Sequence, residues 1–339
     1  MRVLAICILV YCLAACNNIQ NQTSETPIPP GESTTMKLIQ TIPLPGVEGR
    51  IDHLSVDLKG QRLFVAALGN NTVEALDLKS GALIHSISNL SEPQSAQFIP
   101  GFNKLFVTNG GNGLLQIFDG SSFAELSRVD LLGDADNIRY DESNKSVVVG
   151  YGNGSLSFID AESGKATSDI KLDGHPESFQ LEPAGSRIFV NIPDANQIAV
   201  VDRQQQKVVS TWFMTRGLSN FPMALDESQH RLFVGFRLPA KLGVFDTETG
   251  QSVASLDGPG DMDDVFYDAA HKLIYAIGGE GSVDIFYQQD ADHYQSVTRI
   301  PTAAGARTGF WVPEWNRLFV AVPHKATHEA EIRVYELQQ

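Results

Sequence analysis

Cysteine is almost absent from this 339-residue chain, and its three copies, Cys7, Cys12 and Cys16, all lie within the first 16 residues. The rest of the sequence therefore offers neither a disulfide nor a catalytic thiol, and it has no Cys-x-x-Cys-His segment for covalent haem. A Gly-x-Ser-x-Gly elbow, a phosphate-binding loop and a His-Glu-x-x-His pair are missing as well. These absences exclude the enzyme classes that depend on such motifs.

Basic residues are scarce relative to acidic ones. The chain has 25 lysines and arginines against 40 aspartates and glutamates, which gives a formal net charge of −15. A surface with this charge repels phosphate backbones and anionic lipid headgroups. We therefore expect no nucleic-acid partner, and contact with a membrane only through a lipid anchor.

The start of the chain is the place for such an anchor. Residues 1–16, MRVLAICILVYCLAAC, join an early arginine to an apolar stretch that is too short for an ordinary spanning helix, which is typical of an export signal. Leu-Ala-Ala-Cys at residues 13–16 resembles a bacterial lipobox, in which Cys16 is lipidated. A plain cleaved signal and an uncleaved anchor are the alternatives. The prediction is a lipid-anchored protein of the bacterial cell envelope, on the periplasmic side or at the outer membrane.

Two further segments follow the signal. Residues 17–36 have no apolar periodicity and are rich in Asn, Gln, Ser, Thr and Pro, which predicts a flexible tether. Residues 37–339 show no break in composition, so we predict that they form one domain.

This domain consists of a repeat of roughly forty residues. In residues 50–87, four short apolar runs are separated by tight turns, which is the pattern of a four-stranded antiparallel sheet. The second run returns seven times, at residues 63–65, 105–107, 147–149, 188–190, 232–234, 273–275 and 318–320. Because one small sheet cannot bury both of its faces, the copies must stack, and we predict an all-β, seven-bladed β-propeller.

The last copy supplies only three strands, at residues 307–312, 317–322 and 331–337. Residues 37–44 have the composition of a strand but belong to no copy. We therefore predict that they pair with residues 331–337 and close the ring, which removes the free sheet edges.

Aspartate ends the third strand in five copies. We predict a structural role for it, since its carboxylate can accept hydrogen bonds from amides of the following turn. The five residues are Asp77, Asp119, Asp160, Asp202 and Asp246.

Residues 105–109, LFVTN, residues 71–73, NTV, and the strand-closing aspartates resemble the YVTN repeat of YncE-like bacterial propellers and, at greater distance, surface-layer propellers. The resemblance covers about residues 37–339. It implies the fold but not one function, because such propellers serve as ligand binders, lactonases and subunits of redox enzymes. The chain departs from quinoprotein alcohol dehydrogenases, since its three tryptophans stand outside a repeating register.

In a propeller the first strand of each blade lines the central channel, so equivalent residues from all copies meet in a ring. Two adjacent positions are polar across the copies. The first is occupied by Asp52, Gln94, Asp136, Glu177, Phe221, Asp263 and Arg307, and the second by His53, Ser95, Asn137, Ser178, Pro222, Asp264 and Thr308. From these we predict a ligand-binding funnel mouth made of Asp52, His53, Asp136, Asn137, Glu177, Asp263, Asp264 and Arg307.

Three interpretations of this ring stay open, because clustered carboxylates must be solvated, paired or bound to a cation. The first is a water-filled mouth in which Arg307 pairs with the carboxylates. The second is a pocket for a small polar or cationic molecule. The third is a divalent cation site, with calcium as the possible ion, and its ligands would be Asp52, Asp136, Glu177 and Asp263.

Two features near the ring also have two interpretations each. His175, on the segment that enters the fourth copy, can reach the same mouth as His53 and bind a transition metal together with it, or can simply be solvated. Residues 211–221 carry Trp212 and Phe213, which either contact a protein partner or pack between blades.

The function that we favour from the sequence is a monomeric, non-catalytic propeller that binds an envelope protein or a small polar ligand. One alternative is a metal-dependent, lactonase-like hydrolase in which Asn137 joins Asp136 or Glu177 as a ligand and Asp263 is the base. Adjacent strand residues point to opposite faces, so this arrangement requires a bulge between Asp136 and Asn137. The other alternative is an accessory subunit of a periplasmic redox complex.

Overall fold

The computed structural model describes residues 35–338. These residues form seven four-stranded antiparallel sheets arranged in a ring, which confirms the predicted seven-bladed β-propeller. The signal peptide, Cys16 and almost all of the predicted tether lie outside the described residues. None of the helices within residues 35–338 has the length and apolar character needed to span a bilayer.

Each of the first six blades takes four consecutive strands. Blades 1 to 3 consist of β2 (Leu54–Asp57), β3 (Arg62–Ala67), β4 (Thr72–Asp77), β5 (Ala82–Ile87), β6 (Pro93–Ile99), β7 (Lys104–Asn109), β8 (Leu114–Asp119), β9 (Glu125–Asp130), β10 (Ala135–Asp141), β11 (Ser146–Tyr151), β12 (Ser155–Asp160) and β13 (Ala166–Lys171). Blades 4 to 6 consist of β14 (Phe179–Leu181), β15 (Arg187–Ile192), β16 (Gln197–Asp202), β17 (Lys207–Phe213), β18 (Leu218–Asp226), β19 (Arg231–Leu238), β20 (Ala240–Asp246), β21 (Ser252–Asp257), β22 (Met262–Asp268), β23 (Leu273–Gly278), β24 (Ser282–Gln288) and β25 (Tyr294–Pro301). Short 3-10 helices occur at Leu68–Asn70, Pro193–Ala195 and Pro313–Trp315.

Blade 7 joins the two ends of the described chain. It combines β26 (Gly309–Val312), β27 (Arg317–Val322) and β28 (Glu331–Gln338) with β1 (Thr35–Pro43) as its outermost strand. β1 runs antiparallel to β28, with Thr35 opposite Gln338 and Pro43 opposite Glu331. The predicted ring closure is therefore confirmed, and the first strand begins two residues before the predicted start of the domain at residue 37.

The second strand of each blade is buried on both faces, which explains why its residues form continuous apolar runs instead of alternating with polar ones. β3 and β27 are buried from their second residue to their last. Aromatic residues fill the gaps between blades. Phe64 of blade 1, for example, lies 5.5 Å from Phe98 of blade 2 between ring centroids. The core is thus a set of interfaces between neighbouring sheets.

The strand-closing aspartates have the predicted structural role. Asp119 Oδ1 accepts hydrogen bonds from the amides of Ser121 and Ser122 at 3.0 and 2.7 Å. The other four accept from turn amides in the same way. In the sixth copy, whose third strand has Tyr287 at this position, Asp290 of the longer turn accepts from the amides of Asp292 and His293 instead.

Of the two aromatic residues that the sequence singled out in residues 211–221, one packs between blades and the other is exposed to solvent. Trp212 is partly buried and packs on Phe189 with a centroid distance of 5.5 Å, next to the core between blades 4 and 5. Phe213, by contrast, is 72% exposed. Packing between blades therefore describes Trp212, and only Phe213 presents an aromatic surface to solvent.

Candidate functional site at the mouth of the central channel

The segments that lead into the first strands converge at one end of the channel. They enclose a cavity of about 450 Å³, whose lining includes Arg50, His53, Glu92, Gln94, Asp134, Asp136, His175, Glu177, Phe221, Arg237, Asp263 and Arg307. Five of the sequence-predicted residues are thus brought together here, namely His53, Asp136, Glu177, Asp263 and Arg307.

The other three predicted residues lie around this cavity without lining it. Asp52 is buried directly behind Arg50. Asp264 faces, together with His53, a second cavity of about 330 Å³ farther along the channel. Asn137 is buried, lines neither cavity and accepts a long hydrogen bond from Arg139 at 3.5 Å.

The bulge that the hydrolase hypothesis requires is present, because the register of β10 against β11 shifts between Ala135 and Ile138. The shift does not bring Asn137 beside Asp136 in the lining of the mouth. The pair of adjacent ligands that this hypothesis uses is therefore not formed.

The mouth has two electrostatically different parts. The first, which we call the arginine half, consists of Arg50, Asp52, Arg237, Asp261, Asp263 and Arg307. Its three shortest ion pairs and their distances are Arg237–Asp263 (2.5 Å), Arg50–Asp52 (2.8 Å) and Arg307–Asp261 (3.1 Å). Two longer pairs are Arg237–Asp261 (3.5 Å) and Arg50–Asp263 (3.7 Å). Three guanidinium groups thus face three carboxylates, and this half carries little net charge.

Burial affects the carboxylates of the arginine half strongly. Desolvation raises the pKa of Asp52 to about 7, although His53 and Arg50 oppose the shift. Desolvation likewise raises the pKa of Asp263, against the effect of Arg237. Asp52 Oδ1 and Asp263 Oδ2 are buried without a hydrogen-bond partner among residues 35–338. These pairs hold the ring together but leave polar atoms incompletely satisfied.

His53 lies between the two cavities and is enclosed by carboxylates. Its Nε2 is 3.7 Å from Asp52 Oδ1, and its Nδ1 is 3.5 Å from Asp264 Oδ1. Burial lowers the pKa of His53, but the carboxylates of Asp264 and Asp52 outweigh this effect and raise it to about 10. We expect an imidazolium ion with both nitrogens committed to ion pairs.

The second part of the mouth, which we call the acidic half, consists of Asp134, Asp136, His175 and Glu177. His175 Nδ1 lies 2.6 Å from the carbonyl oxygen of Gly152. A carbonyl only accepts hydrogen bonds, so Nδ1 carries the proton and Nε2 is the nitrogen that faces the carboxylates. Nε2 lies 3.6 Å from Asp136 Oδ2 and 3.9 Å from Asp134 Oδ2.

The segment that carries His175 is held in place by a close backbone contact. Gly154 has φ +134°, and a Cβ atom there would lie 2.6 Å from the carbonyl oxygen of Leu172. The amide of Leu172 also donates to the carbonyl of Gly154 at 3.1 Å. A larger residue at position 154 would push the segment away, so this glycine helps to set the position of the imidazole.

Glu177 stands out because its carboxylate forms no hydrogen bond or ion pair with any residue from 35 to 338. Desolvation raises its pKa to about 8, and Asp136 and Asp263 add to the shift. Burial lowers the pKa of His175, but the nearby carboxylate of Asp136 and the carbonyl of Gly152 outweigh this effect and raise it to about 9. The potential ligand atoms of Asp136, His175 and Glu177 all lie within 4.8 Å of one another.

Comparison with known proteins supports the fold but does not identify a family or a function. No protein-family model matches the chain, and no curated protein does. The similarity to YncE-like propellers therefore stays a prediction. Among solved structures, a chain from a crystal structure of the mitotic checkpoint complex aligns over 99% of this chain and 100% of its own length, with a TM-score of 0.76 and 15% identity. In total 1778 chains of solved structures match, and a fold that is shared so widely does not specify a function.

The sequence contained a signal for the residues that the predicted ring omitted. Asp134 and His175 stand two positions before Asp136 and Glu177, and Arg50 stands two positions before Asp52. In extended chain, residues two apart lie on the same side, so a second polar ring was to be expected there. Arg237 is different. It comes from the end of β19, a second strand, and its place in the mouth depends on tertiary structure.

Proposed function

We propose that this protein is a non-catalytic binding propeller of the bacterial cell envelope that takes up a small cationic ligand at the mouth of its central channel. The observation that carries the proposal is the excess of carboxyl groups in the acidic half, where the imidazole of His175 is the only basic group among residues 35–338 that pairs with Asp134 or Asp136, and Glu177 has no partner. No lysine or arginine among residues 35–338 forms an ion pair with Asp134, Asp136 or Glu177, whereas each arginine of the other half already has a carboxylate. A cation would supply the missing charge.

Two further features support binding of a cation. The chain as a whole has a net charge of −15, so its field attracts cations and repels anions. The lining of the mouth also contains no serine, threonine, cysteine, tyrosine or lysine, the residues that most often provide a nucleophile for covalent catalysis.

The envelope location rests on the sequence of residues 1–36 and on the resemblance to YncE-like bacterial propellers. We expect the full-length protein to be recovered with the membrane fraction and to incorporate labelled palmitate. A Cys16→Ser variant should lose the label and leave the membrane fraction. Retention of both properties by the variant would contradict lipidation at Cys16.

Binding is tested by isothermal titration calorimetry on the purified full-length protein. The probes are putrescine, choline and arginine as organic cations, and simple divalent metal ions. We expect saturable 1:1 binding of at least one probe, weakened about tenfold or more in Glu177→Gln, because that substitution removes a carboxylate while keeping the shape. The proposal fails if no cation binds, or if Glu177→Gln and Asp136→Asn bind as tightly as the wild type.

A metal-dependent hydrolase of lactone-like substrates is the second candidate. The observation in its favour is the group formed by Asp136, His175 and Glu177, which differs from the ligand set that the sequence suggested for such an enzyme. The test is lactone hydrolysis followed in a pH-stat, with and without added zinc or manganese. Turnover that requires the metal and disappears in Glu177→Gln would establish the hydrolase, and its absence would favour the binding function.

A further inference from the structure

We propose that the cation bound in the acidic half is a divalent transition-metal ion, held by carboxylate oxygens of Asp136 and Glu177 and by Nε2 of His175. This inference rests on the proposed function, because it names the ligand of the same site. This ligand set joins His175 to two carboxylates of the ring, and it differs from both the four-carboxylate site and the two-histidine site that the sequence suggests.

The spacing of the donor atoms is the first argument. All three lie within 4.8 Å of one another, and His175 Nε2 is 3.6 Å from Asp136 Oδ2. Bond lengths of about 2.0–2.2 Å in a tetrahedral zinc site place neighbouring ligand atoms about 3.4 Å apart. Small rotations of the two carboxylate side chains are therefore enough to close the group around an ion.

The orientation of the imidazole is the second, independent argument. Metal-binding histidines commonly donate their other ring N–H to a carbonyl or carboxylate, which fixes the tautomer and aims the free nitrogen at the metal. The 2.6 Å contact between His175 Nδ1 and the carbonyl of Gly152 has this geometry. The close approach at Gly154 keeps the segment in position.

The third argument is the state of Asp136. The residue is only 5% exposed and lines the cavity, yet its carboxylate accepts no hydrogen bond from residues 35–338. Its only ion-pair partner in that range is His175. A buried carboxylate without hydrogen bonds is costly, and coordination to a metal removes that cost.

The donor set favours a transition metal over calcium. Calcium takes six to eight oxygen ligands, whereas imidazole suits zinc, copper, nickel and iron. The remaining carboxylates of the four-carboxylate hypothesis, Asp52 and Asp263, are engaged by Arg50 and Arg237 in the other half. Three protein ligands leave at least one coordination position for water or a small ligand from the cavity.

The test uses purified full-length protein without a histidine tag, stripped of metal with a chelator. Zinc, nickel, cobalt(II), manganese and calcium are titrated separately by calorimetry. We expect one site per chain, with zinc or nickel bound about 100-fold or more tighter than calcium. His175→Gln and Glu177→Gln should each weaken binding by about 10–100-fold, in line with the loss of a ligand.

Asp284→Asn is the matched control, because it changes a buried carboxylate that pairs with Arg299 and does not line the mouth, and it should leave metal affinity within about threefold of the wild type. Asp263→Asn, in the arginine half, distinguishes the three-ligand site from the four-carboxylate site. Circular dichroism verifies that each variant is folded. Cobalt(II) provides a second readout, since its visible absorption spectrum should change in His175→Gln if Nε2 is a ligand.

The outcomes separate this inference from the function on which it rests. If organic cations bind but no metal does, the metal site is wrong and the binding function stands. If no cation of either kind binds, both are wrong. If calcium binds best and Asp263→Asn weakens it as much as Glu177→Gln, the four-carboxylate site replaces the one proposed here.

Discussion

The two halves of the channel mouth contain the same type of side chain in different surroundings. In the arginine half, Asp52, Asp261 and Asp263 each lie within 3.1 Å of a guanidinium nitrogen. In the acidic half, Asp136 has only His175 as an ion-pair partner and Glu177 has none among residues 35–338. The comparison teaches that carboxylates around one ring can serve opposite purposes. Arg237–Asp263 and Arg307–Asp261 join neighbouring blades, and the carboxylates without an arginine remain available to a ligand.

The largest effect is expected from Arg237→Met in the arginine half. Arg237 donates to Asp263 Oδ1 at 2.5 Å and to the carbonyl of Met262 at 2.9 Å. Removing one partner of a buried ion pair costs about 3–5 kcal/mol, because the other charge stays buried without compensation. We expect the free energy of unfolding, measured by urea denaturation, to fall by that amount.

The double variant Arg237→Met/Asp263→Asn is the control for this prediction. It removes the carboxylate that the single variant leaves uncompensated, and we expect it to recover more than half of the lost stability. A single variant that loses less than about 1 kcal/mol would show that the arginine half is not structural.

The next prediction concerns the dependence of the free energy of unfolding on pH. It rests on His53, whose imidazole is influenced by the carboxylates of Asp52, Asp264 and Asp136. Its pKa is about 10 in the folded protein and 6.5 ordinarily, so between these values the folded state binds more protons than the unfolded state. The stabilisation of the folded state by protonated His53 is therefore complete below about pH 6.5, and it is lost as the pH rises through 10. Asp52 acts in the same direction at lower pH, since its pKa is raised from 3.8 to about 7.

We thus expect the free energy of unfolding to decrease from pH 7 to pH 9 in urea denaturation experiments. In His53→Gln the decrease should be smaller by up to about 1.4 kcal/mol per pH unit, the maximum for one proton. An equal slope in the wild type and the variant would mean that His53 is not protonated in the folded state.

A smaller effect of opposite sign is expected from Glu177→Gln in the acidic half. In metal-free protein the substitution removes a carboxylate that has no hydrogen bond and lies next to Asp136. The free energy of unfolding should rise by about 1 kcal/mol, the usual gain from relieving an unfavourable charge. The equivalent substitution in the arginine half, Asp263→Asn, should lower the free energy of unfolding. If the free energy of unfolding changes in the same direction in both variants, the distinction between the two halves is wrong.

The smallest effect is expected from Asp134→Asn. The side chain of Asp134 is 52% exposed, and its Oδ1 accepts a hydrogen bond from Gln94 at 2.7 Å. Solvent screens its charge, so zinc affinity in calorimetry should fall by less than about threefold. A loss of tenfold or more would instead identify Asp134 as a fourth ligand.

Much of the site follows from the repeat. Once the second strands are aligned, Asp52, Asp136, Glu177 and Asp263 fall at one position, and the channel geometry requires them to approach one another. The alignment does not reveal which groups pair with these carboxylates or orient His175. Arg237 comes from a different strand of its blade, and the proton on His175 Nδ1 depends on the carbonyl of Gly152, 23 positions earlier. Neither belongs to the aligned column.

By itself the sequence determined the seven blades and their closure by β1, because the spacing of apolar runs decides which surfaces must be buried between sheets. It also determined that acidic residues would surround the channel. Only the tertiary structure decided which of those residues have an arginine within reach. Ion pairs depend on the positions of side-chain ends from different blades to within an ångström, and a one-dimensional repeat does not specify such distances.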